Sequence, residues 1–227
     1  MNNKFQRLGN KILTGIGFKE KKKKSKPEAW ASDAHFQELY KEIKGKTLVT
    51  ADRCFAIYQL VQYAAALEGE MAEVGVYKGG TARMIGKTAA HKAVHLFDTF
   101  SGMPAVNKEI DLHREGEFND TSLEGVKSFL NNLSNVHYYP GFFPRTADPV
   151  KNKSFCFVHS DVDIYQSVKD CLEFFYPRLV KGGIVVFDDY KWKDTPGVER
   201  ALDEFLSDKP EKLIISALYQ CFFIKLH

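Results

Sequence analysis

Three acidic residues stand where apolar runs stop. Asp161 closes the run Phe155–His159, and Asp188 and Asp189 close the run Ile184–Phe187. Carboxylates gathered without a cation repel one another, so such a set needs positive charge nearby. Oxygen donors in this number suit a hard divalent ion. Mg2+ is the choice that keeps water positions open for substrate oxygens. Asp161 and Asp188 lie 27 residues apart, the length of one strand–helix–strand unit, so their strands can be neighbours. Asp161-Val162-Asp163 also has the Asp-x-Asp form, which could hold a metal and a diphosphate.

A second group is the glycine-rich turn from Glu73 through Gly75 to Gly79 and Gly80. Glycines there allow close backbone approach and positive φ. The spacing is not Gly-x-Gly-x-x-Gly, and Glu73 ahead of the first glycine would repel a pyrophosphate, so a dinucleotide fits badly. The carboxylate would suit a ligand with a cationic amino group, such as S-adenosylmethionine. A tight packing turn without a ligand is the alternative. Asp98, 25 residues after Glu73, closes the next apolar run, where an acid accepts hydrogen bonds from ribose hydroxyls. A lone Asp there could also start a turn or cap a helix.

These residues need elements to bring them together. Apolar spacing predicts helices over Ser32–Lys44 and Ala51–Leu67, the second with Thr50 as N-cap. Strands then alternate with helices: strands over Met71–Val76, Ala93–Phe97, Asn135–Tyr139, Phe155–His159 and Ile184–Phe187, and helices over Thr81–Ala90, Thr121–Leu133, Ser167–Tyr176 and Gly197–Leu206. Thr121-x-x-Glu124 reads as a capping box. Residues 99–120 form a long polar loop. Strands over Leu213–Ser216 and Cys221–Lys225 are too close for a crossover helix and should form an antiparallel hairpin. The fold expected is α/β: a three-layer Rossmann-like class I methyltransferase sheet, mostly parallel, with a C-terminal antiparallel hairpin and N-terminal helices ahead of it.

Composition sets the frame. The chain has 227 residues, 44% of them hydrophobic and 27% charged, which describes a globular protein rather than a disordered one. Residues 1–26 hold nine Lys or Arg and one Glu, so that segment carries +8 and the remainder −5 for the net of +3. An acidic body argues against a nucleic-acid surface. The division expected is a basic, mobile tail over 1–27, cap or lid helices over 28–69, and a catalytic domain over 70–227. Apolar residues among the tail lysines could let it touch a membrane surface, a polyanion or a partner. The four cysteines, Cys54, Cys156, Cys171 and Cys221, form no Cys-x-x-Cys pair and no zinc spacing, and read as buried free thiols of a reducing compartment. No apolar run reaches the length of a membrane span, and the N-terminus is a poor secretory signal, so a cytoplasmic location is expected. A homodimer through the N-terminal helices is compatible with the sequence.

Five motifs occur in order: Glu73 to Gly80, Leu96 to Pro104, His159 to Tyr165, Tyr176 to Gly183 and Val186 to Tyr190. Together they resemble the macrocin O-methyltransferase family, which acts on sugar hydroxyls, across about residues 47–206. The resemblance implies S-adenosylmethionine as methyl donor and dependence on Mg2+. It implies that Glu73, Gly75 and Gly79 border the methionine part of the donor and that Asp98 holds the ribose. Phe100, Gly141 and Phe142 would flank the adenine, and Asp161, Asp188 and Asp189 would hold the metal. Val162 stands where the family often has glycine, and Gln166 where it usually has glutamate; both fall near the acceptor.

The sulfonium methyl is already activated, so the protein need only orient and deprotonate an acceptor oxygen. Asp161, Asp163 and His159 are the rival bases. Asp163 could instead cap the following helix, and His159 could be satisfied by neighbouring backbone. Arg53 and Tyr58 could belong to a lid, though outward-facing surface residues are the plainer reading. The acceptor expected is a sugar hydroxyl or vicinal diol on a small molecule or glycan. The alternatives are a metal-dependent nucleotide-sugar glycosyltransferase and a non-catalytic binding module with this fold. A nucleic-acid methyltransferase is disfavoured by the acidic body.

Overall fold

The computed structural model describes residues 29–227. The basic segment 1–27, with its expected mobility and contacts, lies outside the described residues. The chain runs α1 (Ala34–Ile43), α2 (Ala51–Ala64), β1 (Glu70–Val74), α3 (Gly80–Thr88), β2 (Val94–Asp98), α4 (Leu123–Phe129) and β3 (Val136–Pro140). It continues through β4 (Phe155–Ser160), α5 (Tyr165–Phe175), β5 (Leu179–Asp188), α6 (Pro196–Leu206), β6 (Ile214–Ala217) and β7 (Gln220–Ile224).

The seven strands form one sheet in the order β3-β2-β1-β4-β5-β7-β6. β1 to β5 pair in parallel, and β7 runs antiparallel between β5 and β6. This is the three-layer, mostly parallel sheet with a terminal hairpin that the strand spacing implies. The order reverses between β1 and β4, the position where open α/β sheets bind ligands.

Side chains alternate across each strand and so divide between two cores. Met71, Phe157, Ile184 and Val186 face a cluster that includes Phe36, Cys54, Ile57 and Ile85 from α1, α2 and α3. Val74, Val158, Val185 and Phe187 face a second cluster with α5 and α6. The N-terminal helices therefore share a core with the sheet. Tyr58, an expected surface residue, is buried there against Phe36 and Phe55. All four cysteines are free and buried, and burial pushes their thiols upward, Cys171 to about 12.

Local boundaries depart from expectation where tertiary bonds prevail. The capping box does not form at Thr121. Ser122 caps α4 by accepting from the Gly125 amide at 3.1 Å, while the Thr121 hydroxyl donates to the Tyr77 carbonyl. Thr50 is the N-cap of α2, but its hydroxyl donates to Asp52 rather than accepting from the helix. β5 begins at Leu179 and passes through Gly182 and Gly183, because Leu179 already pairs with Phe155.

Gly75 has φ of +86°, and a Cβ there would lie 1.9 Å from the Asp161 carbonyl oxygen. The chain leaving β1 thus crosses against the chain leaving β4, and the Asp161 amide donates to the Val74 carbonyl at 2.9 Å. Part of the glycine motif is explained by this crossing alone. Gly75→Ala should cost more than about 2 kcal/mol, through the positive φ and the clash together. Urea unfolding of the variant measures it.

Candidate active site

The sheet face beneath α2 carries polar side chains at the carboxyl ends of its three central strands. Glu73 pairs in register with His159, one step beyond the apolar Met71 and Phe157 of the same face. His159 Nδ1 lies 2.8 Å from Glu73 Oε1, and Nε2 lies 2.7 Å from Asp188 Oδ2. All three side chains are fully buried. Carboxylates only accept, so both ring nitrogens donate and the ring is an imidazolium. Burial pulls its pKa down, but the bonds and charges of Asp188 and Glu73 outweigh burial and hold it well above the ordinary histidine value. Glu73 Oε2 is buried with no hydrogen-bond partner.

Asp188 has a second set of partners. Its Oδ1 accepts from Arg53 Nη1 at 3.0 Å and from Gln220 Nε2 at 3.0 Å. Burial raises the Asp188 carboxyl, but His159, Arg53 and Gln220 together hold it below its ordinary value. The same Arg53 Nη1 donates to Asp189 Oδ1 at 3.0 Å. Arg53, the second candidate for the outer surface, therefore points inward, with a side chain 13% exposed.

Beyond this row lies a cleft of about 1080 Å3, counting its open mouth. Its walls include Gly75, Asp98, Gly141, Phe142, Asp161 and Asp163. The loop 99–120 closes one side with Met103, Pro104 and Phe118. Asp111 pins this loop: its Oδ1 accepts from the Tyr165 amide at 2.8 Å and its Oδ2 from the Asn107 amide at 3.2 Å. The start of α5 is thus bonded by Asp111 of this loop, where the sequence suggested Asp163. At the loop's other end Asp120 accepts from the Tyr77 hydroxyl at 2.8 Å and pairs with Lys78.

Asp98 Oδ2 accepts from the amides of Val76 and Tyr77 at 2.7 and 2.9 Å, and Oδ1 accepts from the Phe100 amide at 2.6 Å. One carboxylate therefore shapes the turn after β1 and still faces the cleft. Phe100, with φ of +52°, turns into the core rather than into the cleft wall. Gly79, Glu73, His159 and Asp188 also lie behind the wall, whereas Gly141 and Phe142 form part of it.

The acids split into two sets. Oxygens of Asp161, Asp163 and Asp189 lie within 4.8 Å of one another at the cleft, and ligand atoms of His159, Asp161 and Asp188 do so behind it. Asp188 is the last residue of β5 and faces α2, whereas Asp189, past the strand end with φ of +61°, borders the cleft. Burial, then the charges of Asp188, Asp189 and Asp163, push Asp161 well above the carboxylate range. Burial, then Asp189, lift Asp163 to about 7. Five carboxyl groups face two cations, His159 and Arg53. This all-oxygen, electron-rich set fits a hard divalent ion.

A family model described as Macrocin-O-methyltransferase (TylF) matches residues 9–217. The chain belongs to this family. It is 32% identical over 145 residues to the 8-demethyl-8-(2,3-dimethoxy-alpha-L-rhamnosyl)-tetracenomycin-C 4'-O-methyltransferase of Streptomyces olivaceus, covering 56% of this chain and 55% of the relative. It is 27% identical over 194 residues to the demethyldecarbamoylnovobiocin O-methyltransferase of Streptomyces niveus, covering 78% and 69%. The matched stretch thus spans little more than half of the first relative. The O-methyltransferase NovP superposes with a TM-score of 0.73 at 23% identity, over 85% of this chain and 98% of that one, and supports the fold. No helix among the described residues is long and apolar enough to cross a membrane.

Asp111 and Gln220 are the residues that local sequence did not reveal, and Arg53, offered there for a lid, is bonded to two acids instead. His159→Gln would leave Glu73 and Asp188 buried without their shared cation. It should cost about 3–5 kcal/mol, the range for breaking a buried ion pair. Equilibrium unfolding in urea checks this.

Proposed function

We infer that this chain is an O-methyltransferase that moves the methyl group of S-adenosylmethionine to a hydroxyl of a sugar or vicinal diol. One observation carries the reading beyond family membership. The Asp98 cradle and the Asp161–Asp163–Asp189 cluster border a single cleft, at the reversal of strand order. A donor seated on the β1 and β2 ends would face an acceptor seated on the β4 and β5 ends.

The donor's ribose belongs beside Asp98, whose carboxylate retains lone pairs toward the cleft. Its methionine end belongs near Gly75 and the start of α3, where helix amides suit a carboxylate. Phe142 and Gly141 form the wall available to the adenine. Glu73 acts from behind, by holding His159. The acceptor belongs beside Asp161, Asp163 and Asp189.

Asp161 and Asp189 would hold Mg2+, with Asp188 as the third protein ligand expected from the sequence. When bound, the ion lowers the pKa of an acceptor hydroxyl and orients it. Asp163 faces the cleft, free of His159 and Arg53, and is the group placed to take the proton. The donor would supply an activated methyl, its carbon–sulfur bond giving way to a bond with the acceptor oxygen, with S-adenosylhomocysteine released and the acceptor's proton passing to Asp163. His159, buried and doubly bonded, positions Asp188 rather than accepting the proton. The rhamnosyl substrate in the first relative's name supports a glycoside acceptor.

Calorimetry with S-adenosylmethionine tests the donor site. Wild type should bind with Mg2+ or with EDTA, and Asp98→Ala should lose at least about tenfold in affinity, or ~1.4 kcal/mol. Absence of binding under both conditions would sink the reading. Labelled methyl transfer to a panel of glycosides should stop in EDTA and return with Mg2+. Asp163→Asn should lower kcat by about 10²–10⁴, the usual contribution of a general base, while donor binding persists.

A further inference from the structure

Asp188 Oδ1 has no free lone pair as the structure stands. One oxygen serves His159, and the other accepts from both Gln220 and Arg53. A carboxylate oxygen has two lone pairs, so a metal at Oδ1 requires one of those donors to leave. Gln220 is fully buried, with its Oε1 accepting from the Ser216 hydroxyl at 2.8 Å and its Nε2 also reaching the Arg53 carbonyl. It has nowhere to go. Arg53 is different: its guanidinium sits at the cleft wall and spans Asp188 and Asp189, the two neighbouring acids of the expected metal set.

A place to receive it adjoins the site. A second hollow, about 570 Å3 counting its open mouth, shares Arg53 and Asp189 with the main cleft. Its other walls include Asp52, Trp192 and Tyr219. The two rings pack edge to face with centroids 4.5 Å apart. An acid and two aromatic faces are the surroundings that a guanidinium accepts on leaving a carboxylate pair.

We propose that Arg53 is the resident cation of Asp188 and Asp189, exchanged for the divalent ion, and that on exchange its guanidinium moves into the hollow bounded by Asp52, Trp192 and Tyr219. The arrangement lets α2 neutralise the acids when no metal is bound. It also couples metal loading to a change beside the acceptor end of the cleft. The idea rests on the metal-assisted reading above but concerns a residue that reading does not require.

The test is metal binding itself, read by calorimetry with Mg2+ and by tryptophan fluorescence, on wild type, Arg53→Gln and Arg53→Lys. Removing the competing charge should tighten Mg2+ binding by about tenfold or more in Arg53→Gln, with S-adenosylmethionine affinity unchanged. Lysine keeps the charge but has no second nitrogen to bond the Thr50 hydroxyl while another spans the two acids, so Arg53→Lys should bind Mg2+ more tightly than wild type by a smaller factor. It carries the comparison should Arg53→Gln lose its thermal unfolding transition. Mg2+ should change the emission of wild type in a Trp30→Phe background, where Trp192 is the remaining tryptophan, and the change should vanish with Arg53→Gln. Equal or weaker Mg2+ binding by both variants would overturn the proposal and leave metal-assisted transfer standing. Failure of wild type and both variants to bind Mg2+ would overturn both, while donor binding would still report on the methyltransferase reading.

Discussion

The imidazolium of His159 is fully buried, so its charge depends on Glu73 and Asp188. That dependence ties β1, β4 and β5 together at their carboxyl ends, since one residue comes from each strand. It also orders what surrounds it. Asp188, held by His159 on one oxygen, presents the other toward α2, and this draws Arg53 inward. The same Arg53 nitrogen then reaches Asp189, just past the strand end. The acids left over, Asp161 and Asp163, face the cleft with too little positive charge among them. The excess of acid at the cleft therefore begins with a histidine that does not line it.

Much of this was legible from residue order. Strand–helix alternation, the closing hairpin and the acids at strand ends were readable because each is written locally, in periodicity and in the residue after an apolar run. The division of labour among the acids was not. Asp188 and Asp189 are adjacent in sequence, but the strand ends between them, and the left-handed turn at Asp189 sends it to the cleft while Asp188 stays beneath α2. The period-two rule would have placed Asp188 with Val186 under α2. Glu73 and His159 likewise sit at face positions otherwise filled by apolar residues, a sign of buried partners.

Other contacts had no local signal. Arg53 reaches residues 135 and 136 positions away, and Asp111 bonds the start of a helix 54 positions on. Nothing in the polar loop marks Asp111 as different from its neighbours. Phe100 reads as a wall of the cleft by its position after Asp98, yet the carboxylate captures its amide and turns the ring into the core. Gly75 shows the converse case. The motif is real, but the second chain crossing beneath it accounts for the glycine as fully as a ligand would.

The loop 99–120 is fastened at Asp111 and at Asp120, and neither fastening involves the charged row inside the sheet. Residues between these anchors can therefore change in size and polarity without disturbing the groups that hold the strands together. On the function proposed above, this separates a heritable engine from an adaptable rim. Diversification is then expected to concentrate in the span between the two anchors, where a new side chain alters which molecule is admitted and leaves the chemistry in place.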